Sequence, residues 1–115
     1  MAVEEIRITT AVARVLRQFL DDPAADRYGF DLMRAARLPS GTLYMILARL
    51  ERAGWVAGSQ EDVDPAAAGR PARRLYRLTA GGEQAARVEL AALSDQLRPP
   101  SRSALRPGLQ GGGAG

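Results

Sequence analysis

Four arginines in the second half of the chain are the residues best suited to chemistry with a charged partner. Arg70, Arg73, Arg74 and Arg77 fall in a stretch, 69–78, that holds no Asp or Glu. A guanidinium donates hydrogen bonds in a fixed fork that matches the oxygens of a phosphate. The stretch therefore indicates phosphate contact, although charged side chains can also simply keep an exposed strand edge soluble.

The side chains that the sequence lacks exclude most catalytic and metal sites. No Cys and no His occur in the 115 residues, which excludes disulfides, thiolate nucleophiles, histidine catalysis and metal sites built from Cys or His. Two groups of carboxylates lie in polar, loop-like stretches without a partner base or a phosphate-binding glycine loop, namely Asp21, Asp22 and Asp26, and Glu61, Asp62 and Asp64. We expect no enzyme activity, no cofactor and no metal.

Charge and hydropathy patterns bear on the compartment and the partner. The formal net charge is only +3, so the clustering of the arginines is more informative than the total. No apolar run approaches the ~18 residues of a membrane span. Glu4 and Glu5 stand where a targeting peptide would be basic, and we therefore expect a cytoplasmic protein that does not associate with membranes.

An amphipathic helix is predicted from Pro39 to about Gly54, with a preset φ and a capping hydroxyl from Pro39 and Ser40. Its apolar stripe follows helical spacing and comprises Leu43, Ile46, Leu47 and Leu50. The opposite side comprises Gly41, Met45, Ala48 and Arg52, flanked by Thr42, Tyr44 and Arg49. Such a helix can enter a DNA major groove N-terminus first, with its free N–H groups facing a phosphate.

Two shorter helices are predicted before it, and residues 1–8 could add an edge strand. The first helix runs from a cap at Thr9 or Thr10 to about Asp21, with a buried stripe of Val12, Val15, Leu16 and Phe19. The second runs from about Tyr28 to Arg37, capped by Asp26, with Phe30, Met33 and Leu32 inward. A break at Leu38 and Pro39 makes a helix-turn-helix pattern, which also occurs in αα-hairpins that bind no nucleic acid.

A hairpin and a last helix complete the predicted fold. Strand-like stretches at 55–63 and 73–78 flank the polar loop EDVDPAAAGRPA, which predicts a projecting two-stranded wing. The last helix, about 79–97, carries a seam of apolar residues that can pair with a second chain or cover its own core. With the first helix it predicts a dimer interface of Val12, Phe19, Ala86, Leu90, Leu93 and Leu97. Residues 98–115 are rich in Pro, Gly and Ser and predict a disordered tail.

Several of these strings resemble the PadR family of winged-helix transcriptional regulators. The resemblance spans roughly residues 9–95 and is carried by Tyr28-Gly29-Phe30, GTLY at 41–44, LARLERAGWV at 47–56 and GRPARRLYRLTAGG at 69–82. The chain departs from the family at Met45, where Pro is common, and in its longer wing, DVDPAAAG. The single short C-terminal helix is similar to that of the compact subgroup of the family.

The resemblance implies a homodimer that represses transcription from an inverted-repeat operator, with the C-terminal helix paired to the partner's first helix. Base or backbone contacts are expected from Tyr28 and from Ser40, Gly41, Thr42, Tyr44, Met45 and Arg49, and phosphate contacts from Arg70, Arg73, Arg74 and Arg77. Thr42 can instead cap its helix, Arg49 can pair with a carboxylate, and Tyr44 can be a core residue. The family also implies a small aromatic effector at the dimer interface, near Trp55 or the terminal helices.

The sequence thus predicts a mainly α chain with a small β-hairpin. Residues 1–97 are expected to form one winged helix-turn-helix domain, with a three-helix DNA-binding core, a two-stranded wing and a C-terminal dimerisation helix. The expected function is sequence-specific binding of double-stranded DNA by a transcriptional regulator. The alternative is a winged-helix module that docks an acidic protein surface.

Overall fold

A computed structural model describes residues 3–100, which form a bundle of helices and a small three-stranded sheet. The elements, in chain order, are α1 Thr10–Asp21, β1 Arg27–Tyr28, α2 Gly29–Ala36, α3 Ser40–Arg52, β2 Val56–Gln60, α4 Pro65–Ala68, β3 Arg74–Leu78 and α5 Ala80–Leu97. The mainly helical winged fold is therefore confirmed. None of the helices in this described part of the chain is long and apolar enough to cross a membrane.

The core lies between α1, α2, α3 and the start of α5. The predicted stripes of α1 and α3 are both buried, and the core residues include Val12, Val15, Leu16, Phe19, Leu43, Ile46, Leu47 and Leu50. Thr9 caps α1 as predicted, since its Oγ1 accepts a hydrogen bond from the Val12 N–H at 3.2 Å. These residues form helices because the cap satisfies a free N–H and because one side of each helix can leave water.

The sheet has three antiparallel strands in the order β1-β3-β2. β2 and β3 form the predicted wing, with Val56 opposite Leu78 and Gly58 opposite Tyr76. The sequence did not predict β1, which places Tyr28 opposite Leu75. The wing loop, predicted to be irregular, contains the one-turn helix α4. Asp64 is its N-cap residue, and the Asp64 carboxylate accepts a hydrogen bond from the Ala66 N–H at 3.1 Å.

The start of α2 differs from the prediction. Tyr28 is its N-cap residue and supplies no side-chain hydrogen bond. Asp26 does not cap the helix, because its carboxylate accepts a hydrogen bond from the Arg77 Nε at 2.9 Å. Phe30 was predicted inward but is 58% exposed, since the buried stripe of α2 consists of Gly29, Leu32 and Ala36.

A three-residue turn joins α2 to α3, as predicted. Arg37 ends α2 in the left-handed conformation at φ 56°, and the Leu38 N–H donates to the Met33 carbonyl at 3.1 Å. Pro39 is the N-cap of α3 with φ −60° and provides no side-chain hydrogen bond. The predicted capping by the Ser40 hydroxyl is therefore wrong, because Ser40 is already the first helical residue.

The N-terminal segment and Thr79, just before α5, both contact Trp55. Residues 3–9 form no strand; the Trp55 Nε1 donates to the Glu4 carbonyl at 2.6 Å, and the Glu4 N–H donates to the Ala53 carbonyl at 3.0 Å. On the other side, Thr79 caps α5 by accepting a hydrogen bond from the Gly82 N–H at 2.9 Å. Beyond residue 100, the predicted disordered tail lies outside the described residues.

Replacing Gly82 with Ala should destabilise the protein, because an added Cβ would overlap the backbone carbonyl of Trp55. A backbone group cannot swing aside, and overpacking of this kind costs about 1–3 kcal/mol. Gly41→Ala is the matched control, since a Cβ there meets no neighbouring atom within 4 Å and alanine favours a helix by up to about 1 kcal/mol. Urea unfolding measures both effects, and a Gly82→Ala protein as stable as the wild type would contradict this packing.

Candidate nucleic-acid interface

One whole side of α3 is open to solvent. Packing of its leucine stripe against the core turns outward Ser40, Gly41, Thr42, Tyr44, Met45, Ala48, Arg49 and Arg52. Met45 is 66% exposed, so its side chain is available for contact with a partner. No carboxylate in the described residues pairs with Arg49. The surface has the small start and the cationic end that the sequence predicted.

The N-terminal end of α3 is free to meet an anion. Pro39 places no side-chain acceptor on the first amides of the helix, and the first turn of a helix leaves N–H groups without partners inside the helix. Thr42 does not cap the helix, since the N-cap lies three residues before it. The exposed amides and the positive end of the helix dipole therefore favour a phosphate at this point.

Tyr44 connects α3 to the start of α2. It is 46% exposed and is not part of the buried core. Its ring lies against the backbone of Gly29, where a Cβ would come within 2.6 Å of the Tyr44 hydroxyl. A side chain at position 29 would therefore displace the ring, and Gly29 keeps the Tyr44 hydroxyl near the α2 N-terminus.

The four predicted wing arginines do not form a free cationic patch. Arg70 pairs with Glu61 at 2.6 Å, Arg74 with Glu51 at 2.6 Å and Arg77 with Asp26 at 2.9 Å. The absence of acids within residues 69–78 does not leave these arginines unpaired, because their carboxylate partners lie 9, 23 and 51 residues away along the chain. Within the described residues, Arg73 alone of the four has no carboxylate partner.

Glu61 is the most enclosed of these carboxylates, with a side chain 9% exposed. Its Oε2 accepts a hydrogen bond from the Tyr28 hydroxyl at 2.9 Å, and its Oε1 accepts from Arg70 at 2.6 Å and from the Arg73 N–H at 3.1 Å. Hydrogen bonds from Arg70 and then from the Arg73 N–H lower the pKa of Glu61 to about 2. The bond to Glu61 raises the pKa of Tyr28.

Tyr28 was predicted to contact DNA, but its hydroxyl is already engaged by Glu61. Its ring is half-buried and lies under the Arg73 guanidinium, 5.1 Å from the ring centroid. A groove of about 520 Å³ opens beside it, lined by Tyr28, Gly29, Phe30, Asp31, Tyr44, Arg73 and Arg74. Phe30 belongs to this surface, and the 3 and 4 spacing of Gly29, Leu32 and Ala36 is the signal that could have placed it outward.

The predicted dimer residues divide into two groups. Val12, Phe19 and Ala86 are buried in the chain's own core, so the prediction that they contact a partner is wrong: they belong to the hydrophobic cluster of the domain itself. Leu90 and Leu93 are half-buried, and Leu97 is 72% exposed. These three line a groove of about 690 Å³ with Thr10, Ala13, Arg14, Arg17, Ser94 and Arg98.

The model of the PadR-like family of transcriptional regulators matches residues 24–88, from just before β1 into α5. The chain belongs to this family. The matched part contains the turn between α2 and α3, the exposed side of α3 and the wing. This PadR-like chain is therefore a DNA-binding transcriptional regulator, and its family and fold are those of a class that is generally not enzymatic.

Solved structures of other regulators share the fold of this PadR-like chain. The disulfide-formed structure of AbfR matches with a TM-score of 0.61 and 26% identity over 80% of this chain and 57% of AbfR. The S. aureus MepR–DNA complex matches with a TM-score of 0.61 and 17% identity, covering 77% of this chain and 67% of MepR.

PcaV from Streptomyces coelicolor, solved with its natural ligand, matches with a TM-score of 0.57 and 22% identity over 84% of this chain and 67% of PcaV. The likeness to MepR and PcaV is one of fold. The chain spans little more than half the length of AbfR. No protein with a curated description matches it significantly.

The PadR-like chain should lose stability in acid through Glu61. The pKa of Glu61 is about 2 in the folded chain against an ordinary value of 4.5, so its contribution is complete above pH 4.5 and is lost as the pH falls towards 2. The difference in Tm between wild type and Glu61→Gln should be constant above about pH 5 and should narrow below it. Asp62→Asn, at an exposed neighbouring carboxylate, is the control. A difference independent of pH would contradict the network.

Proposed function

We propose that the chain is a repressor that binds an inverted-repeat operator as a homodimer, with α3 of each protomer in the major groove. The observation that carries this proposal is the exposed side of α3, with its uncapped start and its apolar stripe buried beneath it. Membership of the PadR-like family supports it. Occupancy of the operator by the dimer would block transcription.

Base contacts are assigned to the exposed side of α3. Met45 and the methyl group of Thr42 suit a thymine methyl, and Arg49 suits the two acceptors of a guanine. The amides of Ser40 and Gly41 and the hydroxyl of Tyr44 suit the phosphates at the groove edge. We assign the main wing phosphate contact to Arg73, because Arg70, Arg74 and Arg77 already share their guanidinium groups with carboxylates.

The groove between α1 and α5 is the proposed dimer interface. Leu90, Leu93 and Leu97 form its apolar side, and α1 supplies the opposite wall with Ala13. A two-fold pairing of this groove would bury Leu97, and would present two recognition helices to successive major grooves about 34–36 Å apart. Such spacing matches an inverted repeat.

The same groove suits a small aromatic effector, because Arg14 and Arg17 line it beside the leucines. A ligand at the dimer interface would change the spacing of the two recognition helices and release DNA. Trp55 is not part of this proposed site, since it is buried and its indole N–H donates to Glu4.

Selection of bound duplexes from a random pool tests the function and separates the roles of two arginines. The wild type should enrich an inverted repeat. Arg49→Ala should erode its discrimination by about 1–3 kcal/mol per guanine contact. Arg73→Ala should keep the motif but weaken all binding, and should flatten the salt dependence by about one slope unit.

Binding without any enriched motif would favour the rival function, a wing that docks an acidic protein surface. If Arg49→Ala enriches the same motif as the wild type, then Arg49 does not contribute to base recognition.

Leu97→Glu should dissociate the proposed dimer. Burying a leucine contributes about 1.5–3 kcal/mol. A two-fold dimer carries the substitution in both protomers, so this loss occurs twice. The dissociation constant should therefore rise at least about a hundredfold. Val88→Glu is the matched control, since Val88 is also exposed on α5 but lies nine residues earlier, on the opposite side of the helix. Sedimentation equilibrium measures both variants, and equal behaviour of the two would place the interface elsewhere.

A further inference from the structure

One carboxylate joins three separate segments beside the wing. Glu61 follows β2 and accepts hydrogen bonds from Tyr28 in β1, from Arg70 in the wing loop and from the Arg73 N–H just before β3. Its own N–H also donates to the Arg73 carbonyl at 2.7 Å. The base of the loop 62–72 is therefore closed by a single side chain that is almost fully enclosed.

We infer that Glu61 is a positioning residue for DNA binding: it latches the wing to the start of α2 and thereby presents Arg73 to the DNA backbone. This inference rests on the proposed function. Glu61 itself would touch no DNA, because its carboxylate is covered and its acceptors are occupied by the protein's own donors.

The geometry around Arg73 explains how the latch would act. Its N–H donates to the Glu61 carboxylate at 3.1 Å, and its carbonyl accepts a separate backbone hydrogen bond from the Glu61 N–H at 2.7 Å. Its guanidinium lies over the Tyr28 ring, and the hydroxyl of that same ring is fixed by Glu61. One carboxylate thus orders both the residue and the surface on which it rests, so the rotamer freedom of Arg73 is reduced before DNA binds.

Charge alone and the latch predict opposite effects of Glu61→Gln on DNA affinity, so one measurement distinguishes them. Removing a negative charge from a protein that binds phosphates should strengthen its binding. Glu61→Gln removes that charge and the ion pair with Arg70, yet the latch predicts weaker binding, by about fivefold, the order of one lost hydrogen bond. Asp62→Asn removes the same charge at an exposed neighbouring residue, and should bind DNA as tightly as the wild type or slightly more tightly.

The experiment measures the affinity of the full chain for the selected duplex over a series of salt concentrations at neutral pH. If Glu61 acts through Arg73, then Glu61→Gln should lower the salt slope, and should have little further effect in an Arg73→Ala background. Equal losses in both backgrounds would show that Glu61 only stabilises the fold. Unchanged or tighter binding by Glu61→Gln would also overturn the inference.

A second variant keeps the test decisive if Glu61→Gln folds poorly. Tyr28→Phe removes one hydrogen bond to Glu61 but retains the ring under Arg73, and should weaken binding by about twofold with the same dependence on Arg73. If Tyr28→Phe binds the selected duplex as tightly as the wild type, the proposed latch is contradicted.

Amide hydrogen exchange separates failure of the latch from failure of the proposed function. The Arg73 N–H donates to Glu61 in the absence of DNA, so its protection should fall in Glu61→Gln and persist in Asp62→Asn. If the wild type binds no duplex, the proposed function is wrong. If the Arg73 amide is equally protected in both variants, the proposed role of Glu61 is wrong.

Discussion

Burial of the α3 stripe against α1 and α2 is the constraint on which the rest of the structure depends. Leu43, Ile46, Leu47 and Leu50 are each almost completely removed from water. At about 1.5–3 kcal/mol for each buried side chain, turning α3 to expose them would cost about 6–12 kcal/mol, which is comparable with the whole stability of a small domain. The opposite side of α3 therefore faces solvent, and its residues are available to bind DNA.

Ion pairs decide how the positive charge of the wing is distributed. Exposed pairs such as Arg77–Asp26 contribute little to stability, at about 0–1 kcal/mol, but they hold guanidinium groups in defined places. The Glu61 cluster differs from them because the carboxylate is enclosed and accepts hydrogen bonds from three residues. It links the wing to the start of α2. The groove that Tyr44 lines is therefore bounded by residues of both elements.

The regularly spaced apolar residues of α5 have two different environments in the structure. The spacing of Ala86, Leu90, Leu93 and Leu97 predicts one continuous seam. In the structure the beginning of that seam is buried in the domain, whereas its end is exposed beside α1. The helix runs past the edge of the core, so residues of equal hydropathy have different surroundings. Only Leu90, Leu93 and Leu97 remain for an interface.

The sequence by itself determined the four longer helices, the inward sides of α1 and α3, and the wing, because caps, apolar spacing and turn residues act within a few positions of one another. It also carried the family resemblance through strings such as GTLY and GRPARRLYRLT. Only the tertiary structure decided the strand β1 and the carboxylates that pair with Arg70, Arg74 and Arg77. Those contacts join residues far apart in the chain, and their geometry follows from how the elements pack, which no local pattern records.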